Sequence, residues 1–199
     1  IWVVGPSYML AKKEFDYALD FLQKFFIMRR GVPTRYAHMC KIRTPKEGSC
    51  QIITPACSIL ETKSTENPRS LLGEELDTLV LAEAANTDRD AYERYLVARL
   101  GSRCGRQLAF STGAGECGVF AEFVSKGESN NPDWKTFRST TLVNPYFSRE
   151  EYERNKEILD EKTFNEQFGG ELVSKRGLVF TVDMATLVVP TSDALLAEL

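Results

Sequence analysis

The run Thr78-Leu79-Val80-Leu81-Ala82 is apolar and stops at a single carboxylate, Glu83, followed by Ala84-Ala85. A carboxylate at the carboxyl end of a buried parallel strand is well placed to polarise a water molecule for attack on phosphorus. An acid one residue earlier is the usual holder of Mg²⁺ in such sites. Here that earlier position is Ala82, whose methyl group cannot ligate a metal. Glu83 is thus a candidate general base with no metal-binding neighbour in its own strand. The plain alternative is a glutamate that only ends a strand at the surface.

A second candidate stretch is Ser111-Thr112-Gly113, directly after the apolar run Gln107–Phe110. Hydroxyls and a glycine at a strand end could sense a terminal phosphate and move a loop; the plain alternative is an ordinary small-residue turn. Gly113-Ala114-Gly115 is not a phosphate cradle of the Walker A kind, because no Gly-Lys-Ser or Gly-Lys-Thr occurs anywhere in the chain. His38 is the only histidine, and nothing around it suggests a nucleophile–base triad. The five cysteines are scattered without a CxxC pair, which argues against zinc and for free thiols in a reducing compartment.

The elements that must position these residues read as alternating strands and helices. Ile1–Val4 predicts a buried strand closed by Gly5-Pro6, and Ser7 can cap the helix that follows. Phe15, Leu19, Leu22 and Phe26 recur at helical steps with charged residues between them. Short β-prone runs broken by Gly48 and Pro55 predict hairpin strands over residues 34–60. Strands are expected at Thr78–Ala82 and Gln107–Phe110, and a further one at Trp134–Thr140. Helices are expected from Asp88 or Asp90 onward and over Cys117–Val124, and Ser148 with Glu151 forms a capping box for a charged helix to about Glu161. This alternation predicts an α/β fold with a mostly parallel sheet.

The 199 residues suffice for one sizeable core or one domain plus a small appendage, and 43% hydrophobic with 27% charged residues is ordinary globular composition. A net charge of −3 excludes a chain that coats nucleic acid over its whole surface. The charge is uneven: residues 1–50 hold nine Lys/Arg against four Asp/Glu, so a local DNA-facing patch stays open, with Arg29, Arg30 and Arg35 as candidate DNA contacts. The plain alternative is a solvated basic turn. No apolar run approaches the roughly 20 residues that span a bilayer, and no membrane partner is expected.

Taken in order, several stretches resemble the large terminase subunit, the DNA-packaging ATPase of tailed bacteriophages. Val3-Val4-Gly5-Pro6-Ser7-Tyr8 is similar to the strand and turn after that family's Walker A helix. Ser70–Asp77 running into Leu79-Val80-Leu81-Ala82-Glu83-Ala84-Ala85 resembles the approach to Walker B, and Phe110-Ser111-Thr112-Gly113 resembles the coupling motif. Trp134–Phe137, Asn144-Pro145 and Phe164–Glu171 resemble the small linker subdomain. The resemblance implies a P-loop NTPase (RecA/ASCE-like) fold, incomplete at the N-terminus. It divides the chain into an ATPase core at 1–141 without the Walker A segment, a linker subdomain at 142–180, and a tail at 181–199 leading toward a nuclease domain. It implies Glu83 as water activator, Ser111, Thr112 and Gly113 as the coupling motif, and ATP with Mg²⁺ as cofactors. Leu72 stands where relatives often carry an arginine, which leaves Arg69 as the candidate arginine finger. Expected partners are double-stranded DNA, a portal protein, a small terminase subunit and further copies in a ring, in the host cytoplasm at the procapsid portal. Two other readings remain at this point: a helicase-like motor of the same superfamily, and an inactive remnant that only binds partners.

Overall fold

In a computed structural model the chain is described over residues 1–29, 32–33, 39–113 and 118–173. A six-stranded sheet runs through it in the order β4-β5-β6-β1-β7-β8. β1 (Trp2–Gly5), β6 (Ile59–Ser64), β7 (Thr78–Ala82) and β8 (Arg106–Phe110) are parallel. β4 (Lys41–Arg43) and β5 (Gln51–Ile53) extend the sheet antiparallel beyond β6. A separate ribbon pairs β2 (Met28–Arg29) with β3 (Val32–Pro33). The mixed α/β fold with a mostly parallel sheet flanked by helices is as the sequence pattern predicts.

Strand alternation sorts the apolar residues to two faces. On one face α1 (Tyr8–Leu22) lays Phe15 against Cys50 and Ile52. Ser7 caps α1 by accepting from the Leu10 amide at 3.4 Å. The helix continues as a π-turn, Gln23–Ile27. On the other face Trp2, Val4, Leu79 and Leu81 pack against Leu71, Leu96, Val119 and Phe123. The elements covering that face are a helical stretch, α2 (Arg89–Ala91), a π-turn (Tyr92–Leu96) and α3 (Val97–Gly101), together with α4 (Val119–Glu128).

Two expectations are corrected. Trp134–Thr140 forms no strand. It pairs with no strand and instead lies along α4, where the Thr136 hydroxyl donates to the Val124 carbonyl at 3.0 Å and Trp134 stacks on Phe123. The helix begun at Ser148 does not reach Glu161 unbroken. α5 (Arg149–Ile158) stops where Leu159 turns extended, and Asp160 caps a new helix, α6 (Glu161–Gln167). An aromatic cluster of Tyr152, Phe164 and Phe168 joins the two. Cys40, Cys50, Cys57 and Cys104 are free thiols. His38, Cys117 and the tail at 181–199 lie outside the described residues. No helix among the described residues is long and apolar enough to cross a membrane.

Candidate functional site

Parallel strands put all their carboxyl ends on one rim, where open α/β sheets bind ligands. Here that rim carries Ser64 at the end of β6, Gly5 at the end of β1 with Pro6-Ser7 following, Glu83 after β7 and Ser111-Thr112-Gly113 after β8. Ala82 pairs in register with Phe110. Glu83 and Ser111 are therefore successive to one register pair, on the ends of neighbouring strands. The inner turn is rigid. Ser64 Oγ donates to the Pro6 carbonyl at 3.1 Å, and the Thr65 amide donates to the Gly5 carbonyl at 3.1 Å. A Cβ at Gly5 would sit 2.8 Å from the Ala11 amide nitrogen, so only glycine lets this turn close on the first turns of α1.

Glu83 occupies the left-handed backbone region, with φ 53° and ψ 49°. For a residue with a side chain this costs on the order of 1–3 kcal/mol and persists only where the surroundings impose it. They do so here. Ala82 before it and Ala84 after it are each 1% exposed, and a 3₁₀ turn over Ala84–Asn86 packs on α4. The kink aims the half-buried Glu83 out of the strand. Its carboxylate has no hydrogen-bond or ion-pair partner among the described residues. A carboxylate held in place yet unengaged is free to accept a proton.

The neighbouring corner is built differently. Ser111 Oγ is buried and makes no hydrogen bond, and the same is true of Gln107 Nε2 two turns of the pleat earlier. Both residues line a cavity of about 410 Å³ walled by Phe110, Phe123, Trp134 and Phe137. The Gln107 side-chain oxygen, Oε1, accepts from the Tyr92 hydroxyl at 2.7 Å, and burial raises the pKa of that hydroxyl. A second cavity, of about 460 Å³, joins Ser111 and Thr112 to Ser139, Thr140 and the buried Glu166. Gly113 is buried, and a Cβ there would collide with the Glu171 carbonyl oxygen. Residues 170–172 thus form an arm that backs the corner. The arm leaves α6 through Gly170 at φ +71°, and the Thr141 amide holds its root by donating to the Phe168 carbonyl at 2.9 Å.

Arg69 sits in a 3₁₀ turn, Pro68–Leu71, reached from the carboxyl end of β6. Leu71 anchors this turn in the core, leaving Arg69 exposed and without an ion pair among the described residues. The side chains of the candidate DNA contacts lie outside the described residues. Arg29 falls on β2, with its side chain outside the described residues, and Arg30 and Arg35 lie wholly outside them.

The fit of the expected cofactors can be judged from the donors present. Ala82 presents a buried methyl, and among the described residues no three of His, Cys, Asp and Glu converge on a point. The described residues do not fit a Mg²⁺ site, and no step is assigned to one. Toward a nucleotide the described residues offer an unengaged carboxylate, Glu83, and an unpartnered hydroxyl, Ser111, on neighbouring strand ends, and the sequence holds no Gly-Lys-Ser or Gly-Lys-Thr cradle. Sequence pattern alone did not reveal the left-handed Glu83, the Tyr92–Gln107 bond or the 170–172 arm. The one available signal was Gly169-Gly170 after a helical segment, which marks a C-cap.

No protein-family model and no curated protein matches the sequence. Solved structures do match. The large terminase ATPase domain of Thermus phage P74-26 superposes with a TM-score of 0.66 at 19% identity, covering 86% of this chain and 76% of that one. The large terminase of a second thermophilic bacteriophage, in complex with ADP, gives a TM-score of 0.59 at 13% identity. The ATP-γ-S complex of that same terminase gives 0.50 at 14%. This chain spans 40% and 47% of those two. The chain has the fold of large terminase ATPase domains.

Proposed function

We propose that this chain is the ATPase region of a phage DNA-packaging motor of the large terminase kind. The observation that carries the reading is the register. Glu83 and Ser111 follow the pair Ala82–Phe110 on adjacent parallel strands, in a fold shared with terminase ATPase domains. ATP is the substrate, in keeping with the nucleotides bound by the second phage's terminase. In the step assigned here, Glu83 takes a proton from water as the water oxygen bonds to the γ-phosphorus; the bridging P–O bond breaks and ADP leaves. The Ser111 hydroxyl, without a partner inside the protein, is available to the γ-phosphate or the water, and its loss of that contact after hydrolysis would move Thr112 and Gly113. Arg69 reaches the nucleotide of a neighbouring copy in a ring. Residues 142–180 act as the linker, and double-stranded DNA, a portal protein and a small terminase subunit complete the assembly in the host cytoplasm.

The test is the Glu83→Gln variant of the protein that carries this chain. Loss of the general base lowers ATP turnover by about 10²–10⁴-fold, with melting temperature unchanged. Turnover at the unmutated rate would remove Glu83, and with it the site, from consideration.

A further inference from the structure

We propose that the open edge of β8 is a docking groove for residues 178–182 of this same chain, laid along it as a strand antiparallel to β8. β8 ends the sheet, so its outer row of backbone amides and carbonyls bonds to no strand among the described residues. Native edges are blunted by charge, proline or a bulge. Gln107-Leu108-Ala109-Phe110 carries neither charge nor proline, and its register with β7 is unbroken. The cavity of about 410 Å³ lies beside that edge, between β8 and the stretch Trp134–Thr140, which likewise pairs with no strand. One groove is thus flanked by two segments that both lack a strand neighbour.

The groove suits an extended chain better than a compact ligand. Gln107 lines one end and Ser111 the other, four residues or about 13 Å apart along β8. Phe120, Phe123, Trp134 and Phe137 wall the interval. Gln107 Nε2, buried and without a partner, calls for a carbonyl oxygen, which every residue of a strand carries. The course of the chain names the occupant. Glu171 abuts Gly113 at the carboxyl end of β8, and Leu172 already lines the groove. Five residues, Val173-Ser174-Lys175-Arg176-Gly177, separate Leu172 from the run Leu178-Val179-Phe180-Thr181-Val182, which lies outside the described residues. A short polar stretch ending in glycine suits a chain reversal. The run after it is β-branched and aromatic and lacks alternation, as in a strand covered on both faces. Its five residues would span about 16 Å when extended, matching the five of β8. Entering from the carboxyl end, it runs antiparallel to β8, as β5 does beside β6 toward the other margin. Thr186–Val189, the next apolar run, stops at Pro190 and lies farther from Leu172.

Docking of the run goes beyond the motor reading and stands or falls apart from it, since ATP turnover does not report on it. Native-state hydrogen exchange of the 199-residue chain, read by NMR, is the test. In the parent, the β8 amides directed away from β7 are protected, and nuclear Overhauser contacts join β8 to residues 178–182. A Leu178→Asp/Phe180→Asp pair puts carboxylates into the apolar groove and speeds exchange at those outward amides by about tenfold or more, while the β7 amides stay protected. Leu195→Asp/Leu196→Asp, beyond the docked run, changes neither. Outward amides that exchange at free-peptide rates in the parent overturn the proposal. So does protection that the Leu178/Phe180 pair leaves intact, which gives the groove to another occupant. Protection that grows with protein concentration assigns the edge to a second copy of the chain and overturns it as well.

Discussion

β7 and β8 are neighbours, parallel and of equal length, yet they are held by different parts of the molecule. β7 is an inner strand: Leu79 and Leu81 are fully buried on one face, and the half-buried Val80 alternates to the face that α1 covers. β8 is an edge strand whose Leu108 and Phe110 are 50% and 53% exposed. The carboxyl end of β7 is therefore fixed by the core itself, firmly enough to keep Glu83 in a left-handed backbone. The carboxyl end of β8 is fixed by something separate, the arm at 170–172 that abuts Gly113. A stiff residue and an adjustable corner lie side by side. That is a useful arrangement where one group must keep its aim and its neighbour must move.

The broadest test of this contrast compares equal truncations in the two strands. Leu81→Ala removes a side chain with no exposure and leaves a cavity, so it should cost about 2–5 kcal/mol of unfolding free energy. Leu108→Ala removes one that is half in water and should cost about 1 kcal/mol or less. Equilibrium urea melts measure both. Similar losses would mean that β8 is as well anchored as β7, and the contrast would fail.

Gly113→Ala probes the arm directly. The added methyl meets the Glu171 carbonyl, a backbone atom that cannot swing aside, so the cost is about 1–3 kcal/mol. The more specific readout is hydrogen exchange. The Thr141 amide, bonded to the Phe168 carbonyl at the root of the arm, should lose protection, while the β7 amides keep theirs. Equal loosening of both would show that corner and core are one unit.

Much of this scaffold is legible from residue pattern, because it depends on local chemistry. Ser7 and Ser148 cap helices where a hydroxyl precedes a run of helical spacing, and β1, β7 and β8 fall on apolar stretches bounded by turn residues. What pattern misread depends on distant partners. Trp134–Thr140 has strand-like composition, but composition does not choose the partner, and this stretch is clamped to α4 rather than bonded to a strand: a Cβ at Gly127 would run into Thr136. The charged helix after Ser148 reads as continuous because Leu159 carries no break signal, yet Asp160 restarts the count. At the candidate site, the strand pattern is what makes Glu83 and Ser111 candidates. The left-handed turn at 83 and the empty hydrogen-bonding capacity of Ser111 arise from packing on both sides, which no local stretch encodes.

The smallest effect expected is acid sensitivity at the base of the arm. Asp160 caps α6, accepting from the Thr163 amide at 3.1 Å, and its pKa is lowered by hydrogen bonds from Thr163 first and from the Lys162 amide in smaller part. A folded-state pKa below the unfolded value means that the cap stabilises fully above the ordinary Asp value of about 3.9 and is lost as pH falls through the lower folded value. Asp160 is on the surface, so the effect is local fraying of α6 rather than global unfolding. Because the 170–172 arm leaves from the far end of α6, fraying should reach the Ser111–Gly113 corner and leave Glu83 untouched. Amide shifts recorded by NMR as pH is lowered past about 3.9 should move at Thr163, Phe168 and Gly113 together, while those of Ala82 and Ala84 stay in place. An Asp160→Asn variant, which keeps a capping oxygen without the charge, should show no such step. If Gly113 ignores the titration, the arm does not transmit, and the corner of β8 must owe its position to its own strand after all.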